Sequence, residues 1–394
     1  MSTAPGVTAD AAGLLADYRP GSSFFFSSPE RTVLAQGTWA DVPPAPYAPR
    51  TLPGRAAAAM DAAAGSGHDD PMIAGALPFR PDAPARLFVP AAAQRAEGAG
   101  FAHERVSGPV PSVAVRPVPP PEEYERAVEK ALARLAETDL DKVVLARALH
   151  LTANGRVDAA RLLRNLAAGD PHGHVYAVTV PGHPCCRTLL GASPELLVSR
   201  YGRDVASHPL AGSAARSLDP VEDELRAEAL LESAKDLHEH AFVVEAVAEG
   251  LRPYCATLDV PDGPELVRTA TMWHLGTRVT GRLADPDVTA LDLAAALHPT
   301  PAVCGTPTGT ARDVIAELEP FDRGFYGGAV GWCDASGDGE WAVTIRCAEV
   351  QGHALRLFAG AGIVPGSVPA AELAETSAKF RTLLRAMGLE TETP

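Results

Sequence analysis

The stretch His-Val-Tyr-Ala-Val-Thr-Val-Pro-Gly-His-Pro-Cys-Cys-Arg-Thr-Leu-Leu-Gly-Ala-Ser-Pro-Glu-Leu-Leu-Val-Ser-Arg-Tyr-Gly-Arg-Asp-Val-Ala-Ser-His-Pro-Leu-Ala-Gly-Ser, residues 174–213, decides the fold class. Short runs of Val, Leu and Tyr are broken by Pro-Gly, Ser-Pro and Tyr-Gly, which turn the chain without room for a helix, so an antiparallel meander is expected. A second group of strands is expected near the end, from Gly-Gly-Ala-Val-Gly-Trp (327–332), Trp-Ala-Val-Thr-Ile-Arg (341–346) and Ala-Leu-Arg-Leu-Phe-Ala (354–359). Helices separate the groups. Pro-Glu-Glu-Tyr from Pro121 opens one with acids in its first turn. Another is expected over about 221–251, where Leu237, Ala241, Val244, Ala248 and Leu251 step by four and three; Asp236 and Glu239 then fall on the other side of the cylinder. Strands in runs with long helices between them indicate an α+β fold, large antiparallel sheets packed with helices, rather than βαβ units.

Upstream, Ser23–Ser28 and Met72–Phe79 have the composition of short buried strands, and the proline-dense segment 106–121 reads as a stiff connector. Residues 1–120 are assigned to the N-terminal part of the same domain, 121–388 to the legible, motif-bearing region and 389–394 to a tail. A chain of 394 residues, 46% hydrophobic, can bury a sizeable core, and no internal repeat is found. A formal charge of −15 without any Lys/Arg run argues against nucleic acid as the main partner. Six cysteines, Cys185-Cys186, Cys255, Cys304, Cys333 and Cys347, lack CxxC spacing and read as buried thiols of a reducing compartment. The N-terminus lacks the pattern of a signal peptide and no apolar run is long enough to span a bilayer; a cytoplasmic protein without membrane contact is expected.

Three features carry chemistry. Residues 357–380 pass from an apolar run through a glycine-rich bend, Ala359–Gly362, into a helix with Leu373, Phe380, Leu384 and Met387 on its apolar face. Glu372, Glu375 and Lys379 share the polar side, which is either a solvated face with an i,i+4 ion pair or an ion site. Glycines let backbone amides approach an anion, and Asp236 and Glu239 repeat the three-residue acid spacing on another helix. Paired carboxylates from two helices can hold a hard dication such as Mg²⁺ directly or through its waters. Lys142, on a strand face opposite Val143 and Leu145, either snorkels to the surface or is a buried general base. Glu195, after the Ser-Pro turn, is either a loop acid or a buried general acid with a raised pKa. Other motifs fail. Gly305-Thr-Pro-Thr-Gly-Thr lacks the P-loop lysine, Gly360-Ala-Gly-Ile-Val-Pro-Gly has the wrong glycine spacing for a dinucleotide site, and His238-Glu-His240 puts its imidazoles on different helix faces. No Gly-x-Ser-x-Gly elbow is present.

In order along about 120–385, the segments Lys-Val-Val-Leu-Ala-Arg (142–147), Gly-Ala-Ser-Pro-Glu-Leu-Leu (191–197), Pro-Leu-Ala-Gly-Ser (209–213), Lys-Asp-Leu-His-Glu-His (235–240) and Trp-His-Leu (273–275) resemble the chorismate-utilising enzymes. So do His-Pro-Thr-Pro-Ala-Val-Cys-Gly (298–305), Ile-Ala-Glu-Leu-Glu-Pro-Phe-Asp-Arg (315–323), Tyr-Gly-Gly-Ala-Val-Gly-Trp (326–332), Thr-Ile-Arg-Cys-Ala (344–348) and 357–380. That family includes isochorismate synthases, anthranilate synthase component I, aminodeoxychorismate synthase and salicylate synthases. Ala211 stands where the aminodeoxychorismate branch resembles a lysine-nucleophile enzyme, so that covalent route lacks its attacking group. Cys304-Gly-Thr-Pro-Thr-Gly departs from the Gly-Ala-Pro-Lys typical of anthranilate synthases, and no obligatory glutaminase subunit is expected. The resemblance is greatest to siderophore-type isochorismate synthases, with salicylate synthase as the alternative.

The resemblance implies the chorismate-binding, anthranilate synthase component I-like fold and chorismate as substrate. It implies that Lys142 activates a water for attack on C2 and that Glu195 protonates the departing C4 hydroxyl. It further implies that Glu239 and Glu375 coordinate Mg²⁺ directly, with Asp236 and Glu372 reaching it through water. The amides of Gly360, Ala361 and Gly362, with Lys379 and Arg346, are implied to receive carboxylate oxygens. Gly212, Ser213, His274, Ala302, Val303 and Tyr326 are implied pocket walls; Val303 replaces a leucine common in close relatives.

Overall fold

The computed structural model describes residues 10–389 apart from 44–50, 99–100, 102–105, 107, 109–111, 171 and 183–184. The extreme N-terminus, all but the first residue of the assigned tail, and parts of the proline-dense segment therefore lie outside the described residues. One sheet of ten strands runs Gly305–Thr306, Lys142–Ala153, Ala354–Ile363, Cys347–Gln351, Arg187–Ser193, His174–Val180, Ser23–Ser27, Arg31–Gln36 and Ala92–Glu97, with Val113–Val118 paired to Lys142–Ala153. A second, of nine strands, runs Cys255–Asp259, Val279–Leu283, Asp204–His208, Leu196–Tyr201, Gly339–Val343, Ala329–Asp334, Met72–Leu77, Arg86–Val89 and Ala40–Asp41. A small third sheet joins Leu210–Ala215, Met272–Gly276 and Glu265–Arg268. Every strand pairing is antiparallel among the described residues.

The Phe24-Phe25-Phe26 run shows how the layers form. Phe24 and Phe26 enter a core shared by the two large sheets, with Met72, Tyr176 and Trp332, while Phe25 faces a separate core beneath helices Ala159–Gly169 and Pro369–Met387. A strand covered on both faces requires an apolar residue at every position, not at alternate ones. Helices Leu52–Gly65, Ala234–Leu251 and Ala290–Leu297 cover the outside of the nine-stranded sheet, and Pro121–Glu137 and Thr308–Leu318 cover Val143, Leu145 and Ile363. The result is two sheets clad in helices.

Several local expectations are corrected. The 174–213 strands form but do not make one meander: Arg187–Ser193 belongs to the ten-stranded sheet, Leu196–His208 to the nine-stranded one and Leu210–Ala215 to the third. Pro194 and Pro209 stand at the two crossings, where the missing amide prevents a ladder from continuing. The expected helix 221–251 is two helices, Pro220–Glu232 and Ala234–Leu251, separated at Ser233, whose hydroxyl accepts the Asp236 amide as an N-cap. Its buried residues are Glu239, His240, Val243, Val247, Ala248 and Leu251, so the expected Ala248 and Leu251 are buried while Ala241 is exposed. The glycine-rich "bend" 359–362 is the end of the straight strand Ala354–Ile363, and the chain turns only after it, at Val364–Val368. Part of the proline-dense connector is the edge strand Val113–Val118. Cys185 and Cys186 are exposed, so the thiols are not uniformly buried.

Candidate active site

The crossings assemble the site. Glu195 lies where the chain leaves one large sheet for the other, its side chain sealed between them and only 2% of the residue exposed. Burial pushes its carboxyl up to about 8; a hydrogen bond from the Leu210 backbone and the charges of Lys142, Arg346 and Lys379 pull back only part of that rise. At neutral pH it is therefore an acid with its proton on. Lys142 opens the long strand Lys142–Ala153, on the inter-sheet face that it shares with Val144 and Ala146, opposite Val143 and Leu145. It is fully buried, and its Nζ lies 3.0 Å from Glu239 Oε1 in an ion pair too bent to be a hydrogen bond.

Between Glu195 and Glu239 lies a cavity of about 590 Å³ including its mouth. The structure brings thirteen expected residues to its wall: Glu195, Glu239, Glu375, Gly212, Ser213, His274, Ala302, Val303, Tyr326, Arg346, Gly360, Gly362 and Lys379. Lys142, Asp236, Glu372 and Ala361 do not line it. Lys142 sits one contact behind Glu239. Ala361 is turned the other way, because alternate residues of a strand face opposite sides and Gly360 and Gly362 take the cavity side. Those two glycines are required for close approach rather than for a turn: a Cβ on Gly362 would lie 2.1 Å from Glu239 Oε1, and one on Gly360 2.7 Å from the Tyr326 hydroxyl.

Arg346 leaves the expected strand 341–346, which ends at Val343, and adopts φ +48°, the one positive φ outside glycine among the described residues. That left-handed conformation costs about 1–2 kcal/mol for an L-residue and aims the side chain into the cavity. Its Nη2 lies 3.2 Å from His274 Nε2. Burial, then the Arg346 and Lys379 charges, hold His274 well below the usual imidazole range, so the ring is neutral and accepts from the guanidinium.

The four acids expected at a metal lie on two neighbouring helices, each held by a partner. Glu375 pairs with Lys379 at 2.5 Å and accepts from Ser213 Oγ at 2.8 Å; Glu372 pairs with Lys235 at 2.6 Å; Asp236 accepts from the Ser233 hydroxyl; Glu239 pairs with Lys142. Among the described residues no three His, Cys, Asp or Glu converge on one point: Glu239, Glu372 and Glu375 each face a lysine, and Asp236 a serine hydroxyl. Buried carboxylates need positive charge, and here internal lysines supply it. Burial raises Glu375, but Lys379 and Ser213 outweigh it and hold the group below its ordinary value; burial and the Glu375 charge raise Glu372. Glu372 Oε2 is buried without a hydrogen-bond donor. An all-carboxylate donor set with one orphaned oxygen fits a hard dication.

Sequence reasoning missed Lys235, which lies inside a quoted motif but gave no periodic signal, and Phe358, Val144, Pro194, Leu210 and Ile345 on the wall. Period two from Gly360 and Gly362 points to Phe358, which stacks on Tyr326 with ring centroids 5.0 Å apart. The others depend on how the two sheets meet.

The model of the chorismate binding enzyme family matches residues 90–388. The chain belongs to that family. It is 54% identical over 383 residues to isochorismate synthase DhbC of Bacillus subtilis (strain 168), covering 96% of each chain. It is 42% identical to isochorismate synthase EntC of Escherichia coli (strain K12), covering 93% of this chain and 95% of that one. The crystal structure of DhbC from Bacillus anthracis superposes with a TM-score of 0.90 at 49% identity, covering 95% of this chain and 99% of that one. Anthranilate synthase component I of Streptococcus pneumoniae, at TM-score 0.70 and 22% identity over 93% of each chain, shares the fold. Two clad antiparallel sheets are thus the architecture of the family.

Proposed function

We propose that the protein is an isochorismate synthase, isomerising chorismate by adding water at C2 and expelling the C4 hydroxyl. The observation that carries this reading is Glu195, a carboxyl protonated at neutral pH inside a cavity whose far wall is backed by a buried lysine. Water attack and hydroxyl loss at different ring carbons need a base and an acid in separate places; Glu195 as the acid, with Lys142 behind the Glu239 wall as the base, meets that need. Acting as the free amine rather than as the ammonium of its ion pair with Glu239, Lys142 takes the proton of the attacking water; Glu195 gives its own to the departing oxygen, which leaves as water. The carboxylate this creates is met by the Leu210 backbone and the positive charges of Lys142, Arg346 and Lys379, the same groups that already oppose its burial. Arg346, propped by neutral His274, and Lys379, beside Gly360, are positioned to receive substrate carboxylates.

Glu239 and Glu375 would hold Mg²⁺ directly, with Asp236 and Glu372 through water. Bound there, the ion supplies positive charge for a substrate carboxylate. Product analysis with chorismate and Mg²⁺ tests the reading. Isochorismate is expected; salicylate as the main product transfers the assignment to a lyase-coupled enzyme, and anthranilate or no turnover sinks it.

A further inference from the structure

The long strand Lys142–Ala153, near one end of its sheet, is paired along one edge by Ala354–Ile363, but its other edge is paired only at Lys142–Val143, by Gly305–Thr306, and from Ala148 onward, by Val113–Val118. Residues 144–147 face a gap. An interior strand edge must satisfy its amides and carbonyls, and no backbone strand does so here. The gap is filled instead by side chains from the segment Ile315–Arg323, which the reaction leaves without a part.

Arg323 Nη2 donates to Val144 O at 2.7 Å, and its Nη1 donates to Val303 O, also at 2.7 Å. Glu319 Oε1 accepts the Ala146 amide at 2.8 Å, and Glu319 Oε2 accepts from Arg323 Nε at 2.8 Å. The Val144 amide completes the seam by donating to Cys304 O at 2.8 Å. Both side chains are almost wholly buried, at 2% and 3%. The guanidinium also lies 4.4 Å from the Phe79 ring centroid and 5.6 Å from that of Tyr326. Neither Glu319 nor Arg323 touches the substrate cavity, yet Val144, Val303 and Tyr326 all line it. One rigid fork thus ties the strand that carries Lys142 to the adjoining Ala302–Val303 wall.

Resting on the isochorismate synthase reading, we propose that Glu319 and Arg323 are positioning residues, a side-chain clasp that fixes the Lys142 strand relative to the Ala302–Val303 wall. A planar guanidinium reaches two carbonyls at once; an ammonium on a flexible stem is a single point charge and cannot hold that spacing. Loosening the seam by a fraction of an ångström moves the base relative to the ring without removing any group that touches it.

The test compares Arg323→Lys and Glu319→Gln with the parent enzyme by steady-state kinetics, thermal melting and peptide-resolved hydrogen exchange. In folded protein, kcat should fall roughly 10- to 100-fold, with the KM for chorismate changed less than about threefold. Exchange should quicken together in peptides covering 142–147 and 298–306 and stay at the parent rate in 347–351. A kcat within about twofold of the parent overturns the proposal even where exchange or melting changes, because the pair then only supports the fold. A fall in kcat with unchanged exchange also overturns it, because the loss then does not arise at the seam. Glu319→Gln keeps an oxygen for the Ala146 amide, so it tests the clasp should Arg323→Lys not fold. The parent's own product tests the isochorismate reading separately, and the exchange arm does not depend on it.

Discussion

Glu195 shows how a single side chain acquires its role from where the chain crosses between sheets. Its carboxyl holds its proton up to about pH 8, so turnover that needs this proton should persist through neutrality and fall as pH rises past about 8. A kcat profile measured from pH 6 to 9.5 checks this; a decline beginning near pH 5 would refute the acid role. The same shift acts on stability. Because the folded state binds this proton more tightly than the unfolded chain, stability falls as pH rises between the ordinary carboxyl value and about 8. Glu195→Gln should therefore lower kcat by about 10²–10⁴ while stabilising the fold at pH 8 by roughly 1–3 kcal/mol. Melting at pH 8 and pH 5 separates the two, since the gain should vanish at the lower pH. Lys142→Ala should abolish turnover and leave Mg²⁺-dependent chorismate binding measurable by calorimetry; retained turnover rules Lys142 out as the base.

At the scale of elements, the site depends on what one strand leaves out. Gly360 and Gly362 occupy alternate positions of Ala354–Ile363, and their missing side chains make room for the Tyr326 hydroxyl and the Glu239 carboxylate. Gly362→Ala should push Glu239 aside, sharply raising the Mg²⁺ concentration needed for half-maximal turnover while the fold survives; an unchanged Mg²⁺ requirement would show that Glu239 is not a ligand. The helix break works by the same local logic. Ser233 ends one helix and caps the next, and its hydroxyl holds Asp236. Ser233→Ala should cost about 1 kcal/mol, read as a lower melting temperature.

For the whole molecule, the net charge of −15 hides an interior that neutralises its own acids. Lys142, Lys235 and Lys379 hold Glu239, Glu372 and Glu375, so the fold does not require a metal to offset buried charge. Chelation should abolish turnover yet leave the circular dichroism spectrum unchanged. Mg²⁺ at a hundred times its dissociation constant should stabilise the protein by about 2.7 kcal/mol. Loss of secondary structure on chelation would show instead that the ion holds the two helices together.

The α+β class and the strands at 23–27, 72–77 and 142 onward were legible in the sequence, because periodicity and turn chemistry act locally; most of the cavity wall was named only through the resemblance of ordered motifs to a known family. Sheet membership was not. A proline says where a ladder stops, but which sheet the next strand joins depends on contacts far along the chain, as at Pro194 and Pro209. Nor could spacing on one helix tell that Glu239 points inward with Val243 and Val247, or that glycines in a straight strand serve the approach of distant side chains. Local covalent structure determined which residues could be acid, base and ligand. The meeting of two sheets decided which were buried, and burial is what gives a carboxyl like Glu195 its proton and a lysine like Lys142 its partner.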